Sequence, residues 1–328
     1  MNDATHLARL VVTGLLEAGV TDAVLSPGSR NAPLSFALAD AAESGLLRLH
    51  TRIDERSAGF VALGLAKNSG RPTVVCCTSG TAVANLQPAV LEARHAGVPL
   101  VVLAADRPIR LRGTSANQTT DQVGLLRGAQ CVDLCVDLAA DETSDAAAAV
   151  TQAVLGAAGP PPGPVHLNVQ LDEPLTPPDR WTPTPAAPPA RSRRPWAPLP
   201  GAVTIPHGPR TVVVAGDDAG PPARILAQTA QWPLLAEPSS GSRTGTHALR
   251  CGRLLLDTAL GQRVERVVVC GHPTLSRPVS RLLARADVEI WDVEGDGLWR
   301  ERPFPVTHRL AAATAEPSAD TAWLDEWL

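Results

Sequence analysis

A carboxylate placed between a strand and an Ala/Gly-rich helix is the group in this chain best situated to do chemistry. The run Arg52-Ile53-Asp54-Glu55-Arg56-Ser57-Ala58-Gly59-Phe60 puts Glu55 where a predicted strand ends and a helix begins. In an open α/β fold that point lies over the carboxyl end of the sheet, where ligands bind. Burial by the small apolar residues that follow raises the acid's pKa, and the helix N-terminus lowers it. A carboxyl balanced in this way suits proton transfer near neutral pH. The plainer alternative is an acid that only complements the helix dipole. Three further loops at predicted strand ends carry polar clusters: Ser26-Pro27-Gly28-Ser29-Arg30, Thr78-Ser79-Gly80-Thr81-Ala82 and Ala105-Asp106-Arg107-Pro108. Ser29 and Arg30 offer a hydroxyl and a forked donor suited to a carboxylate. Small residues at 79–81 admit a flat ring or a phosphate to a helix N-terminus, or simply cap that helix. Taken singly, Ser26-Pro27-Gly28 is a tight turn, Arg107 a surface ion-pair partner and Asn117-Gln118 a solvated loop. Carboxyl ends of parallel strands share one rim, so four such loops together point to a ligand site.

The elements that must position these loops follow from periodicity. Leu7, Leu10, Val11, Leu15 and Leu16 mark a helix from Thr5 to Gly19, and Asp22 to Ser26 reads as a buried strand. Helices are expected at 33–42, 55–68 and 81–95, with strands at 47–53, 72–78 and 98–105. Apolar strands alternating with helices indicate a parallel sheet covered on both faces. The period-two run Cys131 to Leu138 suggests a strand nearer an edge, before a helix at 146–155 and a last strand at 164–169. Fifteen of the 31 prolines fall between Pro160 and Pro206. Proline removes backbone donors and restricts the residue before it, so 176–208 reads as an extended linker with Arg191, Arg193 and Arg194 at its centre. A second α/β unit starts at Arg210. Its strands are expected at 211–215, 233–236, 266–270 and 288–291, and its helices at 222–231, 249–260 and 278–286. The expected organisation is thus two doubly wound parallel-sheet domains, 1–175 and a smaller central one at 209–310. The segment 311–328, closing on Trp323 and Trp327, is expected to begin a further domain.

Bulk properties exclude several classes. The 328 residues carry a net charge of −4, which gives no basis for nucleic-acid or anionic-membrane binding. No apolar run approaches a membrane span and the N-terminus lacks the regions of a signal peptide, so a cytoplasmic protein is expected. The six cysteines show no Cys-x-x-Cys spacing and read as reduced core residues, with no metal site among them.

The five motifs Ser-Pro-Gly-Ser-Arg-Asn-Ala-Pro-Leu at 26–34, Asp-Glu-Arg at 54–56, Thr-Ser-Gly-Thr-Ala-Val-Ala-Asn-Leu at 78–86, Ala-Asp-Arg-Pro at 105–108 and Ala-Asn-Gln at 116–118 occur in order across about 95 residues. The region resembles the pyrimidine-binding domain of thiamine-diphosphate enzymes. Within that group it is similar to the 2-succinyl-5-enolpyruvyl-6-hydroxy-3-cyclohexene-1-carboxylate (SEPHCHC) synthases, transferases of menaquinone (vitamin K2) biosynthesis. A weaker likeness continues through Pro238 to Arg243 and the 271–281 loop. The resemblance implies three α/β domains and a homo-oligomer, with the active site formed between the first domain of one subunit and the third of another. It implies thiamine diphosphate and Mg²⁺ as cofactors, and 2-oxoglutarate and isochorismate as substrates. The implied reaction is decarboxylation of 2-oxoglutarate followed by conjugate addition of the succinyl carbanion to isochorismate. Carried over by position, Glu55 is the acid that hydrogen-bonds the aminopyrimidine ring. Pro27, Gly28, Thr78, Ser79, Gly80 and Thr81 line the cofactor. Ser29, Arg30, Arg107, Asn117, Gln118 and, in the central domain, Arg277 lie near the substrates.

The chain departs from the family in one respect. Thiamine-diphosphate enzymes hold Mg²⁺ and diphosphate through Gly-Asp-Gly followed some two dozen residues on by Asn. Here Gly295-Asp296-Gly297 is a look-alike, but no Asn follows Asn168 and only 31 residues follow Gly297. It reads as a turn beside Trp299, and the Mg²⁺ ligands are expected in a third domain that these residues do not include. Val214 to Gly220 likewise looks like a nucleotide loop but corresponds to a plain strand–turn–helix. Two alternatives stand beside the synthase reading. One is an inactive remnant that binds partner subunits or an anionic metabolite through Arg94, Arg277 and Arg302. The other is one subunit of a split decarboxylase.

Overall fold

The computed structural model describes residues 2–135, 143–184, 201–295 and 297–328. The chain divides into two compact units, Met1–Arg191 and Ser192–Leu328. The Arg191–Arg194 cluster, residues 136–138 of the expected edge strand and Asp296 of the Gly-Asp-Gly look-alike lie outside the described residues.

In the first unit, chain order is α1 (Asp3–Glu17), β1 (Asp22–Leu25), α2 (Ala32–Glu43), β2 (Arg48–Thr51), α3 (Glu55–Ser69), β3 (Thr73–Cys77), α4 (Thr81–Ala84), α5 (Gln87–Ala96), β4 (Leu100–Asp106), β5 (Gln130–Leu134), α6 (Thr143–Ala158) and β6 (Val165–Gln170). The six strands form one parallel sheet in the order β2-β1-β3-β4-β6-β5. Helices α1, α2 and α6 cover one face around Leu15, Leu34, Leu38 and Leu103. Helices α3, α4 and α5 cover the other around Ala62, Val83, Leu86 and Val102. Strands β3, β4 and β6 are buried along their whole length, which is why β3 and β4 read as largely apolar runs, while β6 buries His166, Asn168 and Gln170 among its apolar residues. Strand β5 is the edge strand its alternation suggests, with Cys131 and Val132 half-buried and Leu134 inside.

The continuous helix expected over 81–95 is instead two. It breaks between Ala84 and Gln87, and Pro88 starts the second helix. Proline suits a first turn because its missing N–H has no intrahelical partner there, whereas inside one long helix it would clash with the preceding turn.

The sheet holds one buried base. His166 on β6 is fully inaccessible, and burial pushes its pKa down to about 4. The folded state therefore keeps it neutral while the unfolded state binds a proton below about pH 6.5. Stability is expected to be unaffected above that pH and to fall by about 3 kcal/mol as pH drops from 6.5 through 4. Urea unfolding of His166→Gln against the parent across this range should show the acid slope reduced; an unchanged slope would mean that another group carries it.

The second unit contains β7 (Val203–Ile205), β8 (Thr211–Ala215), α7 (Gly220–Ala230), β9 (Leu234–Ala236), α8 (Gly252–Leu255), α9 (Ala259–Gln262), β10 (Arg266–Cys270), α10 (Arg277–Leu283), β11 (Glu289–Val293), β12 (His308–Leu310), β13 (Ala313–Ala315) and α11 (Ala322–Asp325). Five strands make a parallel sheet in the order β12-β11-β10-β8-β9, and β13 pairs with β7. The helix expected over 249–260 is broken at Thr258, whose side chain caps α9 by accepting from Leu260 N. Strand β7 falls inside the stretch read as linker, and it forms because β13 supplies its ladder. The same pairing ties the last residues to this unit. Trp327 is buried against Val264, Leu282 and Ile290, Trp323 Nε1 donates to Thr211 O at 2.9 Å, and the two indoles meet edge to face. The apolar face of 311–328 thus finds its cover within the second unit.

All six cysteines are free, but only Cys76, Cys77 and Cys270 are core residues. Cys131 is half-buried, and Cys135 and Cys251 are exposed, the first just past edge strand β5 and the second in the turn before α8. An apolar neighbourhood in sequence did not distinguish a strand's interior from its flanks.

Candidate functional site

The order β2-β1-β3 places a topological switch point between β1 and β3, because chain direction across the sheet reverses there. Crevices at the carboxyl ends of such strands are where open α/β sheets bind ligands. The loop after β1 holds Ser26 to Arg30 and the loop after β3 holds Thr78 to Thr81, so the two flank the crevice. They touch: a Cβ at Gly28 would stand 2.5 Å from Thr78 Cβ, so glycine is what lets the loops close on one another. Pro27 and Ser29 are exposed and Gly28 is half-buried. Thr78 and Ser79 are buried, and Thr81 is exposed at the first turn of α4.

Glu55 begins α3 and is half-buried. The preceding residue, Asp54, is the N-cap: its carboxylate accepts from Ser57 N at 2.8 Å and Ser57 Oγ at 2.6 Å. Asp54 therefore caps the helix, and Glu55 is the acid of its first turn. The Glu55 side chain has no hydrogen bond or ion pair among the described residues. Its charge reaches the Cys77 thiol at the end of β3, whose pKa lies well above the usual range through burial, then Cys76, then Glu55. The acid thus stands over the β3 end of the crevice with its carboxylate uncommitted.

A third loop, 117–122, stitches the rim together. Ser79 Oγ donates to Gln118 O at 3.0 Å, and Gln118 Nε2 donates back to Ser79 O at 2.8 Å. Gly80 has φ +81° and ψ −141°, a conformation that favours glycine, and its added Cβ would meet Gln118 Cγ at 2.8 Å. The Gly80 N–H donates to Gln122 Oε1 at 2.6 Å, so it is not open to a phosphate as its position at a helix start suggested. Arg107, following β4, donates from Nη2 to Asn117 O at 2.7 Å. Asn117 and Gln118 themselves are exposed.

Gln122 belongs to a buried network that residue types in sequence did not reveal. Its Nε2 donates to Ala105 O at 3.1 Å and to Asn168 Oδ1 at 2.9 Å. Asn168 Nδ2 donates to Asp106 Oδ2 at 2.9 Å and to Asp133 Oδ1 at 2.8 Å. Arg112 closes the system, 2.7 Å from both Asp106 Oδ2 and Asp133 Oδ2. Desolvation raises the Asp133 pKa, but hydrogen bonds from Arg112 and Asn168 outweigh it and hold the carboxyl below its ordinary value. Asp106 Oδ1 also accepts from Arg107 N at 2.7 Å, which fixes the residue that presents the guanidinium. The one available signal was a run of apolar strand β6 interrupted by Asn168, next to an acid ending β4.

Arg30 is buried and its Nη1 donates to Leu171 O at 2.9 Å. Burial, and then the charge of Arg107 beside it, hold its guanidinium below the ordinary value. Buried polar atoms at this rim that have no partner among the described residues include Ser26 Oγ, Asn31 Oδ1, Thr119 Oγ1 and the Nε of both Arg30 and Arg107. Buried donors left unmade cost about 1–3 kcal/mol each, so a group that pairs with them is favoured. Two converging guanidiniums with unspent N–H groups fit an anionic ligand with planar acceptors such as a carboxylate.

Residues 5–125 match the family described as thiamine pyrophosphate enzyme, N-terminal TPP binding domain. A SEPHCHC synthase of Nocardioides sp. is 58% identical over 340 residues, covering 99% of this chain and 58% of that protein. Those of Kineococcus radiotolerans and Mycobacterium avium are 49% and 42% identical, covering 96% and 99% of the chain and 59% and 60% of their own lengths. The chain is a homologue of the SEPHCHC synthases. It spans about three fifths of the length of these curated relatives. The fold agrees with that kinship, two parallel α/β sheets of which the first carries the thiamine pyrophosphate domain.

The residues present fit the ring end of thiamine diphosphate: a free, half-buried carboxylate over a crevice walled by Gly28, Thr78 and Ser79. For the metal end, no group of three or more His, Cys, Asp or Glu side chains among the described residues could hold an ion. No helix is long and apolar enough to cross a membrane.

Arg277, also expected near substrate, opens α10 in the second unit and is exposed. Of the other arginines considered for anion binding, Arg302 is spent on Asp292, with contacts of 2.8–3.0 Å and both side chains buried. Arg94 Nη1 donates to Gly128 O. The loop Val214 to Gly220 is a strand–turn–helix, closed by paired backbone bonds between Asp217 and His272.

Proposed function

We propose that the first unit binds the aminopyrimidine end of thiamine diphosphate and one dicarboxylate substrate for the SEPHCHC synthase reaction. In that reaction 2-oxoglutarate loses carbon dioxide and its succinyl unit adds to isochorismate. The observation that carries the reading is the uncommitted Glu55 carboxylate over the β1/β3 crevice, on a chain 58% identical to a synthase of that name. Thiamine diphosphate, when bound, supplies the electron sink that decarboxylation of a 2-oxo acid requires.

The chain's own residues have distinct tasks. Glu55 holds a proton on its carboxyl Oε against a ring nitrogen of the pyrimidine, and so governs that ring's tautomer. The Gly28–Thr78 contact and the Ser79–Gln118 pair set the width of the slot in which a flat ring lies. Arg30 and Arg107 hold a substrate carboxylate, with Ser29, Asn117 and Gln118 on the open side of the crevice. The diphosphate and Mg²⁺ are assigned to residues outside these 328, consistent with the absence of Asn after Asn168. The domain limits 1–175 and 209–310 serve the same reading, the first as the pyrimidine domain and the second as a spacer.

The test is calorimetric titration of thiamine diphosphate with Mg²⁺ into the purified chain, beside an assay with both substrates. Weak or absent binding and no product are expected of the chain alone. Product formed by this polypeptide unaided would show that it does hold the diphosphate.

A further inference from the structure

Strand β6 delivers two acids straight to the arginines of the rim. Leu171 O takes Arg30 Nη1, and the next two residues are Asp172 and Glu173. Asp172 is held by Arg110, whose Nη2 donates to its two carboxylate oxygens at 2.7 and 2.6 Å. Glu173 Oε1 stands 3.8 Å from Arg30 Nη2, beyond hydrogen-bond length. The charges of Arg107, Glu173, Asp172 and Arg110 all act on Arg30. The partners differ in freedom: the Arg30 side chain is 6% exposed and that of Glu173 is 76% exposed. Meanwhile the Nε atoms of Arg30 and Arg107 are buried and have no partner among the described residues. The site thus combines fixed, unspent donors with an exposed acid of the chain's own, within reach but not bonded.

We infer that Glu173, with Asp172 fixed on Arg110, is an intramolecular counter-ion of the Arg30–Arg107 pair that competes with an incoming carboxylate and so sets the affinity of the site for dicarboxylates. The inference rests on the reading of Arg30 and Arg107 as the carboxylate-binding pair. An exposed acid at this distance is screened and holds its arginine weakly. It partly neutralises the guanidiniums, of which Arg30 is buried, while the site is empty, and it can swing into water when a ligand arrives. A ligand with two carboxylates replaces one tethered charge with two and wins. A monocarboxylate only exchanges like for like.

The experiment uses the full chain labelled with ¹⁵N, reading the Nε–H resonances of Arg30 and Arg107 during separate titrations with isochorismate and 2-oxoglutarate. Glu173→Gln removes the charge and keeps the shape of an exposed side chain, so folding is preserved. It is expected to tighten binding of the better dicarboxylate about threefold to fivefold, the range of an exposed ion pair. Glu17→Gln, at the opposite, amino-terminal side of the sheet, measures the effect of losing any one negative charge and should leave affinity unchanged. Resonances that shift on titration with equal affinity in Glu173→Gln and the parent would overturn the counter-ion role and leave the carboxylate-binding reading standing. Resonances that neither dicarboxylate moves in any variant would remove that reading, and the inference with it.

Discussion

Glu55→Gln is expected to lower turnover by about 10²–10⁴-fold, the usual contribution of a positioned acid–base group. The assay supplies the protein, in trans or as a fusion, with the part of a homologous synthase that the chain does not span. Glutamine keeps the size of the side chain and can still hydrogen-bond a ring nitrogen, but it cannot hold a proton in transit. The variant separates chemistry from structure because Glu55 supports nothing in the fold. Asp54 caps α3, and the Glu55 side chain makes no bond among the described residues. The urea midpoint should therefore match the parent while product formation collapses. A variant that turns over normally would refute the proton-holding role and return Glu55 to a helix-start acid.

The largest effect on stability is expected for Asp106→Ala. Asp106 is completely buried and serves three donors: Arg107 N, Asn168 Nδ2 and Arg112 Nη2. Removing one partner of a buried, hydrogen-bonded ion pair costs about 3–5 kcal/mol, because the remaining charge and donors stay buried without compensation. Arg112 retains Asp133, which places the loss toward the lower end of that range. Asp106→Asn keeps an acceptor of the same shape and should cost less than the alanine change. Chemical unfolding of both variants checks the order. A loss below about 1 kcal/mol for Asp106→Ala would show that the network does not hold the rim. The functional counterpart is that Arg107 loses the anchor on its own backbone, so dicarboxylate binding should weaken along with stability.

Much of this molecule is legible in its sequence because the relevant forces are local. Strands β3 and β4 are covered on both faces, so their residues are almost all apolar, and such a run is unambiguous. The helix start at Glu55 and the glycine turns at Gly28 and Gly80 are set by backbone chemistry within a few residues. Since parallel strands must present their carboxyl ends on one side, the sharing of a rim by four loops also followed without knowing strand order. Kinship with the synthases was readable for the same reason, from five short motifs in register.

Other features depend on partners far along the chain. Strand β7 lies in proline-rich sequence and exists only because β13 pairs with it over a hundred residues away. Trp323 and Trp327 looked like the start of something uncovered until Thr211, Val264 and Ile290 supplied the cover. The long helix over 81–95 failed at a single proline, whose effect depends on the turn it occupies.

The sequence by itself determined the parallel α/β class, the two units and the chemical character of the rim: one acid, two forked bases and small residues between them. Only the tertiary structure decided what each of these is free to do. It left Glu55 uncommitted, took the Gly80 N–H for Gln122, joined Asp106 to Arg112, Asp133 and Asn168, and set Glu173 beside Arg30. The physical reason is that residue type fixes which bonds a group can make, whereas the bonds it does make depend on neighbours brought in by the fold.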